Sequence, residues 1–186
     1  MYQPHAGEKL GRFSKERKLR NAVNDNDIRE MRDLLNRNIS ANLVDPDTNQ
    51  PILVTAVKNR STEAVKTLIT YDANVNYTDA AGLTPLYWAV AQEDHDIARQ
   101  LLQKQVSRFE RFSEGTIGSL MLRALELGWY DLAERMIQQG ANVDFSGKAG
   151  STPLIGMVER NDLKGAALLL ENDATVGASA CWRRSI

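Results

Sequence analysis

Histidine and cysteine are the residue types that most often bind metals or act as bases and nucleophiles, and the chain has few of them. His95 lies between Asp94 and Asp96, a set that could bind a metal ion or transfer a proton. The alternative is a partly exposed histidine among solvated carboxylates at a helix start, where acidic groups favour the helix dipole. We favour the alternative, because no other histidine or cysteine lies at metal-ligand spacing.

The other candidates for catalysis are isolated. His5 lies near the N-terminus, and Cys181 has no histidine in register to activate it. The phosphate-binding patterns G-x-x-x-x-G-K and G-x-G-x-x-G are absent from the sequence. We therefore predict no catalytic residue, no metal site, no cofactor and no small-molecule substrate, and we interpret the chain as non-enzymatic.

Composition and charge narrow the classes of partner. The 186 residues are 42% hydrophobic and 25% charged, with a net charge of −1, as in ordinary globular domains. Residues 1–20 hold six basic and two acidic residues, whereas residues 21–175 hold 22 acidic and 15 basic ones. The basic start could contact nucleic acid or an anionic membrane, or form the polar face of a terminal helix. We favour the helix face, because Phe13 alone accompanies residues 9–20 as a stacking group.

Three features bear on the compartment. One cysteine cannot form an intrachain disulfide, which fits a reducing environment. No apolar run approaches the roughly 18 residues of a membrane span, and residues 1–20 lack the apolar core of a signal peptide. These features favour the cytoplasm, while a leader removed before residue 1, or secretion as an effector, stays open.

One sequence pattern recurs along the chain, and its clearest copy begins a helix at residue 84. Thr84 can cap free backbone N–H groups with its hydroxyl, and Pro85 suits the first helical position. Pro51 lies one interval before Pro85, and Pro153 lies two intervals of the same length after it. The interval is about 34 residues, and a period of this length indicates stacked structural repeats.

The second half of each copy carries an apolar stripe at spacings of three to five residues, which predicts one buried helix face. The matching groups are Val65, Leu68 and Ile69; Ile97, Leu101 and Leu102; Leu132, Met136 and Ile137; and Leu163, Leu168 and Leu169. Short connections follow at residues 72–76, 140–144 and 173–176. A less regular joint is predicted at residues 106–113, with a turn at 114–118.

The chain resembles ankyrin repeats in two features. One is the Thr-Pro-Leu helix start with its following alanine, and the other is the type of connection that follows the second helix, such as Gly-Ala-Asn-Val-Asp. The resemblance implies an all-α fold, a solenoid of stacked helix–turn–helix units with β-turn-like tips. We predict units at about 15–43, 44–78, 79–112, 113–146 and 147–177. A flexible segment, 1–14, precedes them, and a C-terminal tail or partial cap, 178–186, follows. Trp182 could cover the apolar face of the last unit.

The same resemblance implies protein binding through the tips and the inner helices, on a concave side. Register with the family transfers its partner-facing positions to this chain residue by residue. These positions fall on Asp47, Asn49, Lys58, Ala81, Leu83, Gln92, Glu126, Lys148, Ser151 and Arg160. Their charges are mixed, so they do not select a basic or an acidic partner.

Aromatic residues add further candidates, because tyrosine and tryptophan are frequent binding hot spots. We expect Trp88 to pack in the core, whereas the Tyr87 hydroxyl could face either the next turn or a partner. Of Trp129 and Tyr130, one should be buried and the other could be an exposed anchor.

Phe109 and Phe112 lie in the irregular joint among charged residues. They either fill a gap in the packing or form a ridge that faces a partner. Together these features predict an adaptor or an inhibitor of the immunity type, monomeric alone, that occupies one or more partner proteins. The alternative is a regulatory or targeting module whose basic termini dock nucleic acid or anionic membrane.

Overall fold

The computed structural model describes residues 6–104, 114–146 and 151–176, and side chains from residue 13 in the first range and residue 116 in the second. These ranges contain ten helices and no strand, so the predicted all-α class is confirmed. One isolated antiparallel bridge joins Val44 to Pro51. The chain divides into two compact units, residues 1–104 and 105–186.

The first unit contains three helix pairs. Their bounds are α1 (Ala6–Asn24), α2 (Ile28–Asn36), α3 (Ile52–Lys58), α4 (Thr62–Thr70), α5 (Pro85–Ala91) and α6 (His95–Lys104). The odd-numbered inner helices pack on one another, as do the even-numbered outer helices. Helix α1 begins well before residue 15, where the sequence places the start of the first repeat. No proline lies between Pro4 and Pro46 to interrupt it.

The second unit contains two helix pairs. Their bounds are α7 (Glu114–Glu126), α8 (Tyr130–Gln138), α9 (Pro153–Glu159) and α10 (Leu163–Glu171). Helix α7 packs on α9, and α8 packs on α10. The turn predicted at 114–118 is wrong, because α7 has 13 residues and includes it. Gly118 allows Phe145 to pack on this helix, since a Cβ there would lie 2.1 Å from the Phe145 ring.

The same backbone hydrogen bond closes the bend between the two helices of each pair. The N–H of Ser61 bonds to the carbonyl of Ala56 at 3.1 Å, and that of Asp94 bonds to Ala89 at 2.9 Å. The preceding residue, Arg60 or its equivalent, adopts a positive φ. The same bond recurs from Asp27 to Ala22, Trp129 to Ala124 and Asp162 to Met157. These bonds define the register of the repeats in three dimensions.

Two prolines that are aligned by the sequence period, Pro51 and Pro85, occupy different positions at the starts of their helices. Pro85 is the first residue of α5, behind Thr84, whose hydroxyl accepts the N–H of Tyr87 at 3.1 Å. Pro51 is itself the N-cap of α3 and makes no side-chain cap. Pro51 precedes Ala56 by the same interval as Thr84 precedes Ala89, so Pro51 corresponds to Thr84. Proline is tolerated there because its fixed φ suits the extended cap residue.

Most core residues are apolar residues that the periodicity selects. Leu163 is an exception: it was predicted to lie in the buried stripe, but it is the first residue of α10 and is 77% exposed, because the buried face of this helix falls on Gly165 and Leu169. In the first unit the inner helices bury Val57 and Leu86, and the outer helices bury Leu68 and Leu101. In the second unit the buried large side chains include Met121, Leu125, Leu132, Met136, Met157 and Leu169. Because each pair buries its apolar face on a neighbour within its unit, the tips between pairs are fixed by packing on both sides.

Candidate partner-binding surface

The tip that precedes α5 is held together by one buried carboxylate. Asp79 is 9% exposed, and its Oδ1 accepts the N–H groups of Ala81 and Leu83, both at 3.0 Å. The N–H of Asp79 donates to the Leu83 carbonyl at 3.0 Å. Gly82 adopts a φ of +75°, which glycine reaches without steric cost. The tip is therefore a closed turn whose shape does not depend on a partner.

The second oxygen of Asp79 connects this tip to two helices. Its Oδ2 accepts the indole N–H of Trp88 at 2.9 Å and the ammonium of Lys58 at 3.4 Å. The Lys58 Nζ also lies 4.0 Å from the centre of the Trp88 ring, a cation–π distance. It donates a further hydrogen bond to Gln50 Oε1 at 2.7 Å. The Lys58 charge is thus largely engaged within the chain.

Two opposing effects determine the pKa of Asp79. Burial raises the pKa, because it disfavours the charged form. The hydrogen bonds from the Leu83 N–H, the Trp88 indole, the Ala81 N–H and Lys58 lower it, and they outweigh burial. The pKa therefore lies below its ordinary value of 3.8, and the carboxylate is ionised at neutral pH.

Around this carboxylate lies a surface that we call the tip patch, made of Ala80, Ala81, Leu83 and Tyr87. The two alanines are exposed, and the leucine and the tyrosine are half-buried. The Tyr87 ring meets Trp88 edge to face, with ring centres 5.9 Å apart. Its hydroxyl makes no hydrogen bond with the residues that the structure describes. The tip patch thus combines small side chains with one open polar group.

Trp88 is not the core residue that the sequence predicts. Its side chain is half-buried, and its indole N–H reaches Asp79 at the tip. An indole N–H that is partly withdrawn from water needs an acceptor, and the carboxylate of Asp79 provides it. The tryptophan therefore supports the tip patch from behind.

The preceding tip also contains a carboxylate that accepts backbone N–H groups, Asp45, which is less buried than Asp79. Asp45 Oδ1 accepts the N–H groups of Asp47 and Thr48, both at 3.0 Å, and Oδ2 lies 3.7 Å from Arg20 Nε. The N–H of Thr48 contributes most to lowering the pKa of Asp45. Asn49 adopts a φ of +52°, which asparagine tolerates better than most residues. The predicted site residues Asp47 and Asn49 are both exposed on this tip.

Two other predicted residues, Lys58 and Gln92, bond to each other. The Gln92 amide Nε2 donates to the Lys58 carbonyl at 3.1 Å. The Gln92 carbonyl accepts a hydrogen bond from Arg60 Nη2 at 2.7 Å. Both side chains are half-buried, so a partner would meet them as part of a fixed network.

In the second unit the structure brings Glu126 and Arg160 together. Glu126 is exposed and pairs with Arg123 at 3.1 Å and with Arg160 at 3.7 Å. Ser151 is half-buried ahead of α9. Paired surface charges of this kind contribute little to stability. Both Glu126 and Arg160 are exposed, so a partner could contact them.

The two aromatic residues at the α7–α8 bend are both half-buried. Trp129 is the N-cap residue of α8. The Tyr130 hydroxyl donates to Asp162, the N-cap of α10, at 2.9 Å from Oδ1 and 3.0 Å from Oδ2. This hydrogen bond raises the pKa of Tyr130 above its ordinary value of 10.0. Tyr130 therefore links two repeats, and the expected split into one buried and one exposed ring is not observed.

Three predicted site residues, Phe109, Phe112 and Lys148, lie outside the described residues. The sequence did not predict that Asp79 and Asp45 close the tips with their carboxylates. The signal was present, because each aspartate precedes its proline by six residues. An aspartate at a fixed distance before a helix start favours a turn held by its own carboxylate.

The described residues contain few groups that could bind a metal ion or take part in catalysis. Residues 6–104, 114–146 and 151–176 contain no group of three His, Cys, Asp or Glu side chains that could hold a metal ion. Within the same ranges, every helix is too short or too polar to cross a bilayer. His95 is half-buried at the first residue of α6, as its sequence neighbours suggest.

Paired antiparallel helices, joined by tips and repeating at a nearly constant interval, define a helical repeat protein. A sequence model of ankyrin repeats, in three copies, matches residues 19–110. The chain thus contains ankyrin repeats. Ankyrin repeats are generally protein–protein interaction modules and are typically non-catalytic.

A human relative, ankyrin repeat and KH domain-containing protein 1, is 27% identical over 110 residues. The match covers 59% of this chain and 4% of the relative. The similarity therefore concerns the repeats themselves and not the remainder of that much longer protein.

Proposed function

We propose that this chain is a non-catalytic binding protein that acts by occupying a partner protein through its tips and inner helices. The observation that supports this most strongly is the tip patch. Its small exposed residues lie on a turn that Asp79, Trp88 and Lys58 hold from behind. Because the turn is already formed, binding would lose little conformational entropy.

The chemistry of the tip patch suits a protein surface better than a small molecule. Ala80 and Ala81 present a flat area, and no charged side chain of the patch has to be desolvated. Tyr87 offers an aromatic edge and a hydroxyl, a combination frequent at hot spots. A partner with a complementary apolar rim and one hydrogen-bond acceptor would fit this surface.

The proposed surface extends beyond the tip patch. Asp47 and Asn49 extend it to the preceding tip, and Gln92 with Lys58 extends it along the inner helices. For the second unit we propose a separate set of partner-binding residues, the remaining ones predicted from the sequence. These are Glu126, Trp129, Ser151 and Arg160, with Phe109, Phe112 and Lys148 outside the described residues.

The finer role is an adaptor or a dedicated inhibitor of the immunity type, which blocks its partner by occupancy. Neither role needs a catalytic group, a cofactor or a small-molecule substrate. We propose a monomer in the absence of the partner and a cytoplasmic location, which the single cysteine supports.

Affinity purification from the native host, followed by mass spectrometry, tests this proposal. The wild-type chain is compared with Ala81→Arg, which places a long charged side chain on the tip patch. Gln103→Arg is the matched control, because Gln103 is exposed on the outer helix α6. We expect a protein that wild type and the control recover and Ala81→Arg does not. Equal recovery by all three would show that binding does not use the tip patch.

A salt titration tests the alternative function, in which the basic termini dock nucleic acid or an anionic membrane. Duplex DNA and anionic vesicles are offered to the same chain at low and physiological salt. Binding that falls steeply with salt would indicate electrostatic docking. We expect no such binding at physiological salt, and strong binding there would favour the targeting role.

A further inference from the structure

A cavity of about 160 Å³ lies beside the tip that precedes α3. We call it the tip cavity. Side chains of α1, of that tip and of α3 line it, and most of them are polar. The lining includes Arg20, Asn24, Asp45, Gln50, Ile52 and Thr55. A cavity of about 150 Å³ can hold a benzene ring, so the tip cavity has room for the ring of one side chain.

The next tip along the chain shows which groups surround the equivalent carboxylate. Asp79 Oδ2 accepts the indole N–H of Trp88 at 2.9 Å and the ammonium of Lys58 at 3.4 Å. The Lys58 Nζ lies 4.0 Å from the centre of the Trp88 ring. A carboxylate, an indole and a cation thus form one cluster. The indole comes from the inner helix that follows the tip, and the cation comes from the preceding inner helix.

The tip cavity contains the carboxylate and the cation of this cluster but lacks the ring. Asp45 Oδ2 lies 3.7 Å from Nε of Arg20 on the preceding inner helix. The hydrogen bonds that the described residues donate to Asp45 all go to Oδ1. Thr55 stands at the position of Trp88, because each residue directly precedes the alanine whose carbonyl accepts the hydrogen bond at the bend. The space that an indole occupies beside Asp79 is therefore open beside Asp45.

We propose that the tip cavity receives a tryptophan side chain of the partner protein, an assignment that rests on the proposed function. The indole N–H donates to Asp45 Oδ2, and the ring stacks on the Arg20 guanidinium, as in the cluster at the next tip. Tryptophan is frequent among binding hot spots, which lie in desolvated pockets. The tip cavity thus adds one anchoring position to the surface around residues 45–50.

The charges that line the tip cavity favour this neutral donor over a charged side chain. Arg20 already lies beside Asp45, so it would repel a second cation, and Asp45 would repel a carboxylate. The wall is also fixed before binding. Lys58 donates to Gln50 Oε1 at 2.7 Å, and Gln50 Nε2 donates to the Thr55 hydroxyl at 2.8 Å. A preformed wall lowers the entropy that is lost when a side chain binds.

The first test measures binding of a single side chain to the intact protein. N-acetyltryptophanamide is titrated into isotope-labelled chain, and NMR follows the backbone N–H of Thr48 and the side-chain amides of Asn24 and Gln50. We expect these signals to shift with a dissociation constant of about 1–10 mM, since one side chain supplies only part of an interface. The N-methylindole derivative should bind at least about tenfold more weakly, because it cannot donate to a charged acceptor.

Equal binding of the two compounds would overturn the proposal, because Asp45 would then not be the acceptor. The absence of any shift at the solubility limit of N-acetyltryptophanamide would overturn it as well, since water would then be the only occupant of the tip cavity.

Two variants test the residues assigned to the site. Asp45→Asn keeps an acceptor for the backbone N–H groups of the tip but replaces Oδ2 with an amide NH₂ group, which only donates. N-acetyltryptophanamide should therefore bind at least about tenfold more weakly. Thr55→Trp supplies the missing ring within the chain. It should abolish binding of N-acetyltryptophanamide and raise the urea concentration at which the chain unfolds.

Asp33→Asn is the matched control for charge, because Asp33 is exposed on the outer helix α2, and it should leave the titration unchanged. Circular dichroism confirms that each variant keeps its helices. Unchanged binding in Asp45→Asn, or in a folded Thr55→Trp, would show that the compound binds elsewhere and would overturn the proposal.

The protein recovered by affinity purification gives the second test. Thr55→Trp should weaken its binding at least about tenfold, since the intramolecular indole occupies the tip cavity. If this protein binds Thr55→Trp as tightly as wild type, the inference fails while the proposed function stands. Recovery of no protein would remove the proposed function and the partner as the source of the tryptophan. The titration with N-acetyltryptophanamide would then still decide whether the tip cavity binds an indole.

Discussion

The indole N–H of Trp88 donates a 2.9 Å hydrogen bond to Oδ2 of Asp79, nine residues earlier in the chain. This bond ties the inner helix α5 to its own tip. The Lys58 ammonium reaches the same oxygen from α3, so two repeats and one tip share a single acceptor. A tip fixed in this way presents its outer residues in one arrangement.

Replacing Asp79 with alanine should destabilise the first unit. The substitution removes the acceptor of two backbone N–H groups and of the indole. It also removes the carboxylate that pairs with the half-buried Lys58, which keeps its hydrogen bond to Gln50 and its position over the Trp88 ring. We expect a loss of about 2–4 kcal/mol in the free energy of unfolding, measured by urea titration. Asp47→Ala, at an exposed neighbouring tip, should cost less than about 0.5 kcal/mol. Equal losses in the two variants would show that Asp79 does not organise the tip.

The depressed pKa of Asp79 predicts the acid limb of the stability profile. The pKa is lower in the folded chain than in the unfolded one, so the contribution is present above the unfolded value. It is lost as pH falls from there through the folded value. We expect the melting temperature of wild type to drop more steeply below about pH 4 than that of Asp79→Asn. A remaining slope is expected from Asp45, and parallel curves would contradict the assignment to Asp79.

Tyr130→Phe should weaken the contact between the last two helix pairs. The substitution removes the hydroxyl that donates to Asp162, a loss of about 0.5–1.5 kcal/mol. Because the pKa of Tyr130 is raised, its contribution is complete below about pH 10 and declines as pH rises through the folded value. Tyr77→Phe is the control, since Tyr77 is 42% exposed. If both variants unfold at the same urea concentration, the Tyr130 hydroxyl contributes nothing to the free energy of unfolding.

Leu86→Ala tests the packing register of the clearest repeat. Leu86 is 2% exposed on the inner face of α5, and its truncation should cost about 2–5 kcal/mol. The matched control is Val44→Ala, because this valine is 38% exposed. Differential scanning calorimetry measures both variants. A small effect for Leu86 would place it outside the core.

The helix pairs were predictable because each is specified by local signals. Thr84 and Pro85 mark a helix start, and stripes such as Val65 with Leu68 and Ile69 select the buried face. The offset of Pro51 was not predictable, because a proline fits both the cap and the first helical position. The start of α7 was also not predicted. Residues 114–118 contain no aspartate, and such a sequence is compatible with either a turn or a longer helix.

The candidate surface was predictable only in part, and its positions remain a proposal. Family register points to residues such as Ala81 and Gln92, which the structure places at the surface or half-buried. Register does not reveal that Lys58 is bonded to Asp79, or that Glu126 pairs with Arg160. Each of those contacts joins residues of two successive repeats, and both depend on how the helix pairs pack.

Partner binding by the tip patch is tested most directly by isothermal titration calorimetry, which measures the affinity of the recovered partner for wild type, Ala81→Arg and Gln103→Arg. We expect Ala81→Arg to weaken binding at least about tenfold, which corresponds to about 1.4 kcal/mol. Gln103→Arg should bind as wild type does, and all three chains should unfold at the same temperature. Undiminished affinity in Ala81→Arg, with its fold intact, would contradict the claim that the tip patch binds the partner.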